Sequence, residues 1–183
     1  RGDRQPEFTQ LDFEMSFVER DDVLAVVEGL ITALVPAVTP HKRILSPFPR
    51  LAYREVLERY GIDKPDLRFG MEIVDLSDVL GAAEFKVFAD TLAAGGTIRA
   101  ICAPGCAGYT RKQLDEITDL VKAQGVKGLV TLAYTGDGVK GSAVKFLKEN
   151  ELAAIADRVG AQTGDLVCIV ADQFLPAVKA LGM

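Results

Sequence analysis

Gln10, Asp12 and Glu14 share one parity of a strictly alternating stretch, RQPEFTQLDFEMSFVE at residues 4–19, while Thr9, Leu11, Phe13, Met15 and Phe17 take the other. A period of two is the pattern of a β-strand with one polar and one apolar face. Side chains two residues apart on such a face lie about 7 Å from each other, twice the rise per residue. Two carboxylates at that spacing repel each other unless a cation answers them. The stretch supplies no cation between Arg4 and Arg20. A ligand ammonium, a metal or an arginine from elsewhere would satisfy the pair; a solvated edge face explains the same residues with no ligand.

Other residue types invite chemistry less strongly. Cys102, Cys106 and Cys168 are odd in number, and Cys102 and Cys106 form a CxxxC. Zinc usually takes four ligands, and the single histidine, His41, is remote in sequence. Small thiols in a reduced protein are the better reading, and no metal is expected. GDGVKG at 136–141 is a literal GxGxxG between a predicted strand and a predicted helix, the context of a dinucleotide loop, and Asp172 ends the next strand. That context occurs once, in a domain that opens on a predicted hairpin, so a flexible glycine connection is favoured over nucleotide binding. From Glu84 to Lys148 there are nine basic and six acidic residues. Lys140, Lys145 and Lys148 form a candidate edge for RNA phosphates, without an aromatic set for base stacking. A solvated charged surface explains them equally.

The elements that must position these residues come from composition and periodicity. The chain has 183 residues, enough for one large or two small domains. Hydrophobic residues make up 49%, enough for a packed core, and the net charge of −5 argues against nucleic-acid binding by bulk charge alone. No apolar run reaches the length of a membrane span, and nothing reads as a signal peptide. Opening at Arg1 directly on a strand predicts a piece of a longer protein.

After the strand, Asp21 and Asp22 suit a helix N-terminus, and Val23, Val26, Val27, Leu30, Ile31 and Leu34 form one apolar stripe that Pro36 and Pro40 end. Residues 41–51 are punctuated by proline and extended. Tyr53, Val56, Leu57 and Tyr60 mark a short helix closed by Gly61. YGIDKPDLRFG, 60–70, is a rigid loop around Pro65: a surface connection, or one ordered against a ligand or domain.

From Met71 the texture changes. EFKVFAD (84–90) and TIRAICAPG (97–105) read as strands of a hairpin about a Gly-Gly turn. Residues 110–125 form a helix with a Thr110–Gln113 capping box and Gly125 at its end. KGLVTLAY (127–134) is a strand, 142–160 is helical, DLVCIVAD (165–172) is a last strand, and QFLPAVKAL starts another helix. This predicts an α+β fold, with a mostly antiparallel four-stranded sheet and helices on one face.

QPEFTQ-x-D-x-E-x-SF, followed by RYGIDKPDLR, resembles bacterial-type aspartyl-tRNA synthetases, class II aminoacyl-tRNA synthetases, and the resemblance runs along essentially the whole chain. PGCAGYTRKQLDE and GSAVKFL resemble the GAD insertion domain of that family. The resemblance implies three regions: 1–70 as part of a class II antiparallel-sheet catalytic domain (the end of motif 2 and a connector), 71–172 as the insertion domain, and 173–183 as the start of a helix leading back. It implies that Gln5 contacts ATP, that Gln10 and Asp12 line the aspartate subsite with Asp12 facing the substrate ammonium, and that Glu14 supports the surrounding network. It also implies a cytoplasmic homodimer that uses ATP and Mg²⁺ to join L-aspartate to tRNA(Asp), without membrane or DNA partners. Ala52 stands where many relatives cap the second helix with Thr. The family's phosphate-gripping arginines of motifs 2 and 3 match no residue of this chain, so the chain alone is expected to be inactive and to bind no cofactor. Two alternatives remain: a non-catalytic tRNA-binding or interaction module derived from such an enzyme, and a nucleotide-binding oxidoreductase domain built on 136–141.

Overall fold

The computed structural model describes residues 7–183. The chain divides into two compact units, the first ending at Arg50 and the second running from Leu51 to Met183.

In the first unit, helix α1 spans Arg20–Val38. Its N-terminus is a reciprocal box in which Glu19 N donates to Asp22 Oδ2 at 2.9 Å, satisfying an end donor that the helix itself leaves free. Asp21 and Asp22 occupy the first turn, as the dipole favours. Pro36 lies inside α1 rather than ending it. A proline removes one donor only, and the ladder resumes with Thr39 N to Val35 O at 2.7 Å. The alternating segment before α1 is not a strand. Residues 7–18 are irregular and exposed throughout, and no described residue pairs with them. A strand exists only by its ladder, and alternation cannot supply a partner.

The second unit is an antiparallel sheet between two layers of helices. Helix α2 (Tyr53–Tyr60) starts without a side-chain cap at Ala52 and ends at Gly61, whose φ is +70°. The remaining elements are β1 (Val74–Asp75), α3 (Lys86–Ala93), β2 (Thr97–Ala103), α4 (Arg111–Ala123), β3 (Val130–Thr135), β4 (Gly138–Lys140), α5 (Glu149–Val159), β5 (Leu166–Asp172) and α6 (Phe174–Leu181). The sheet order is β1-β2-β5-β3-β4 and every pair is antiparallel. The α+β class and the antiparallel sheet match the sequence reading. The strand count is five rather than four, and helices cover both faces rather than one.

The two faces follow from alternation along the central strand. Val167 and Ile169 of β5 pack in one apolar cluster with Leu76, Leu80, Phe88, Ile98, Leu132 and Ile155. Leu166, Cys168 and Val170 pack in the other with Val121, Ala177, Val178 and Leu181. LVCIV is a continuous apolar run, which is what a strand buried on both faces requires.

Residues 84–90 are not a strand. Phe85, Phe88 and Leu92 recur at helical spacing; Phe88 is fully buried, while Val87, which a strand would turn inward, is exposed. Helix α3 results, and β2 pairs instead with β1. Residues 142–160 are only partly α-helical, with a 3₁₀ turn at Val144–Phe146 before α5. Helix α6 buries Ala177, Val178, Ala180 and Leu181. Helix α2 packs closely on α6: a Cβ at Gly61 would lie 1.9 Å from Val178 O. This contact puts 51–70 in the same compact unit as the sheet, so the division falls earlier than the sequence boundary at 70.

Candidate functional site

In the first unit, Gln10, Asp12 and Glu14 are exposed and, among the described residues, carry no hydrogen bond or ion pair. Phe13 and Met15, of the other parity, line an apolar hollow of about 240 Å³ with Val23, Val26 and Val27 of α1. The polar set therefore shares one short exposed segment. Gln5 lies outside the described residues. Glu28 of α1 holds the connector: its Oε1 accepts from Phe48 N at 2.6 Å and its Oε2 from Arg50 Nη2 at 3.2 Å.

In the second unit, the 60–70 loop is closed at its base. Arg59 Nε donates to Glu72 Oε2 at 2.8 Å and Nη2 to Oε1 at 2.7 Å; Nη1 donates to Glu55 at 2.8 Å, and the Tyr60 hydroxyl donates to Glu72 at 3.2 Å. Ile73 N donates to Arg59 O at 2.7 Å. The Arg59 guanidinium holds Glu72 below the usual carboxylate range, and the side chain and backbone N–H of Arg68 bring Asp66 down to about 2. Behind the loop is a cleft of about 380 Å³, lined by Ile62, Pro65, Phe69, Met71, Ile101 and Leu181 among others. The sequence names this loop but not its clasp, because nothing local marks Arg59 and Glu72 as partners.

A second tie was not legible either. Asp165 Oδ1 accepts from Gly105 N at 2.9 Å and Oδ2 from Gln162 N at 2.9 Å, so one carboxylate joins the turn after β2 to the turn before β5. These backbone N–H groups lower its pKa. Its position behind Gly164 at a strand start is a turn signal that could have pointed to it.

The cysteines form no centre. Cys102 packs on one face of the sheet and Cys106 on the other. Burial pushes the Cys102 thiol up to about 11 and the Cys168 thiol to about 12, so both stay protonated at neutral pH. Among the described residues no three of His, Cys, Asp or Glu come together as metal ligands.

GDGVKG is a hairpin turn, not a phosphate loop. Thr135 pairs with Gly138, leaving Gly136 and Asp137 as a two-residue connection. Gly141 is fixed by close approach, since a Cβ there would lie 2.2 Å from Thr131 O. Of the three lysines, Lys140 pairs with Asp137 at 3.4 Å and Lys148 with Glu84 at 2.9 Å, while the Lys145 ammonium lies 4.8 Å from the centre of the Phe146 ring.

The GAD domain family model matches residues 88–181. The chain is 51% identical over 182 residues to an aspartate–tRNA(Asp/Asn) ligase of Moorella thermoacetica, a match that covers 100% of this chain and 30% of the relative. It is 51% identical over 183 residues to the aspartate–tRNA(Asp/Asn) ligase of Symbiobacterium thermophilum and 47% identical over 183 residues to the aspartate–tRNA ligase of Ruminiclostridium cellulolyticum, covering all of this chain and 31% of each relative. The chain thus spans just under a third of the length of these curated relatives.

Proposed function

We infer, from the premise that this chain belongs to the GAD domain family, that it is a part of an aspartate–tRNA ligase. The whole protein would activate L-aspartate with ATP to the adenylate and transfer it to tRNA(Asp). The supporting observation is that similarity of about half the residues continues past the matched GAD domain to the full length of this chain.

The first unit would supply one wall of the amino-acid site. We assign Asp12 to the substrate ammonium, Gln10 to the aspartate subsite, Gln5 to ATP and Glu14 to the supporting network. A carboxylate–ammonium contact is the charge-assisted bond that an acid without a local cation calls for. The sheet of the second unit, with α3 to α6, would be the insertion domain, and α2 with its clasped loop would join it to the catalytic side. Lys140, Lys145 and Lys148 would meet tRNA phosphates. Mg²⁺ accompanies ATP in such chemistry by neutralising phosphate charge; the described residues hold no ligand set for it. A cytoplasmic homodimer is the assembly this reading entails.

This chain's own contribution to activation is positioning. Asp12 holds the ammonium, and Gln10 orients the carboxyl side of the substrate, so that the attacking oxygen is already placed. The cations that stabilise charge on phosphorus are not among the residues this reading assigns to the chain, so the chain alone is expected to be inactive. In the whole protein, Asp12→Ala should raise the aspartate KM strongly in pyrophosphate exchange while changing ATP dependence less. An unchanged aspartate KM removes Asp12 from the site. Aspartate-dependent exchange by the present chain alone contradicts the reading.

A further inference from the structure

One of the two apolar clusters of the second unit is not fully roofed. The cleft of about 380 Å³ behind the 60–70 loop has Ile73 and Leu181, two members of that cluster, and Ile101, which packs on it, in its lining. Ile62, Phe69, Met71 and Met183 also line it, and all four are exposed, Phe69 by 70% and Met183 by 63%. Single exposed apolar side chains are ordinary, but a set gathered about one concavity over the core marks a surface that something covers.

The loop is held in this open form by polar ties. The Arg59–Glu72 fork and the Ile73 N to Arg59 O bond close its base, Arg68 pairs with Asp66, and Gly70 turns the chain at φ +65°. None of these ties uses the apolar side chains, which stay available. Lys64 and Asp66 are the charged groups of the lining. Asp66 is answered by Arg68, whereas Lys64 has no carboxylate partner among the described residues.

We propose that this cleft seats an apolar segment, with a carboxylate at its edge for Lys64, from the part of the ligase polypeptide outside these 183 residues. The proposal rests on the reading of this chain as part of an aspartate–tRNA ligase, and names the surface by which the rest of that protein holds the second unit. Length supports an occupant in the same polypeptide. This chain covers 30% of the Moorella thermoacetica relative and 31% of the Ruminiclostridium cellulolyticum one, which leaves more than twice its own length to supply the segment. A single cleft falls short of the area by which separate proteins hold each other, whereas a segment of the same polypeptide arrives at high effective concentration.

The test compares the present chain with the whole ligase, each as wild type, as Phe69→Asp and as Leu120→Asp. Leu120, 61% exposed on α4, is an apolar surface position away from the cleft. In the present chain both substitutions should leave the urea midpoint near wild type, because neither side chain is buried there. In the whole ligase Phe69→Asp should lower the midpoint, since it puts a charge into a covered apolar site, and Leu120→Asp should not. Hydrogen exchange gives a second readout on the wild-type proteins: the amides of 62–71 should exchange about tenfold more slowly in the whole ligase than in the present chain. Phe69→Asp should erase that difference, and Lys64→Glu should reduce it.

A neutral Phe69→Asp in the whole ligase, or equal exchange in the two proteins, overturns the proposal. Protection that rises with concentration in the present chain alone assigns the cleft to a second copy, and protection that appears only on adding tRNA, or aspartate with ATP, assigns it to a ligand; either result also overturns it. Pyrophosphate exchange by the wild-type ligase tests the ligase reading separately, so an active protein with an uncovered cleft fails this proposal alone.

Discussion

The guanidinium of Arg59 meets the carboxylate of Glu72 as a two-pronged fork, Nε to Oε2 at 2.8 Å and Nη2 to Oε1 at 2.7 Å, across the base of an otherwise irregular loop. Paired donors in one plane fix direction as well as distance. Both partners are partly exposed, so the fork contributes little to global stability; its effect is local. Glu72→Ala should leave the urea midpoint nearly unchanged while trypsin cleaves after Arg68 several-fold faster. Unchanged cleavage would show that the cleft walls alone hold the loop.

Gly61→Ala should do more damage than its size suggests. The position has φ +70°, and the new Cβ would press on the Val178 carbonyl 1.9 Å away. Strain and displacement of α2 from α6 together should exceed ~1 kcal/mol, read as a lower urea midpoint.

Phe88→Ala removes a fully buried ring from the cluster beneath α3. Losses of about 3–5 kcal/mol are typical of such a deletion. Equilibrium unfolding should show this destabilisation, while Val87→Ala on the exposed side of the same helix should change stability little. The reverse order would restore the strand reading of 84–90.

Asp165 gives a pH signature with a definite sign. Its native pKa lies below the ordinary value of 3.8 because Gly105 and Gln162 N–H groups favour the charged form. A depressed carboxylate contributes stability that is present above its unfolded value and lost as pH falls through the native one. Melting temperature should therefore drop on acidification below about pH 4, and Asp165→Asn should be less stable than wild type at pH 7 but lose less on acidification. Parallel curves for the two proteins would remove Asp165 from the acid response.

Residues 51–183 should unfold in one cooperative transition. The shorter fragment 71–172, which the sequence boundaries would suggest, lacks α2 and α6 and so uncovers Val170 and Cys168 on one face of the central strand. It should bind hydrophobic dyes and melt without a sharp transition. A sharp transition in 71–172 would mean that α6 is an accessory to the fold.

What was legible in the sequence was what local chemistry encodes. The Thr110–Gln113 box formed as read, with Thr110 N donating to Gln113 Oε1 at 2.9 Å, because a cap needs only its own turn. Gly61 closes α2 for the same reason. Phe85, Val87 and Ala89 fit a strand period while Phe85, Phe88 and Leu92 fit a helix, and only the core settles which set turns inward. The second helical layer was encoded in LVCIV, whose unbroken apolar run lacks a solvent face. At the candidate site, the acids of 10–14 were legible by type and spacing, but their strand was not, since its ladder depends on residues that do not pair with it among those described. The Arg59–Glu72 and Asp165 ties are long-range choices of partner, which a single sequence does not record.

Strand β5 is the last strand made and the middle strand of the sheet, bonded to β2 on one side and β3 on the other. Synthesis runs from the N-terminus, so β2 and β3 leave the ribosome with no strand between them to accept their ladders. Until residue 172 has emerged, the nascent chain carries two open apolar edges, the kind of surface on which unfinished chains associate. The sheet must therefore close late and nearly at once, by insertion of a ready-made centre rather than by growth from one end. A premature stop anywhere before 166 would leave not a smaller sheet but two separated halves with nothing to join them.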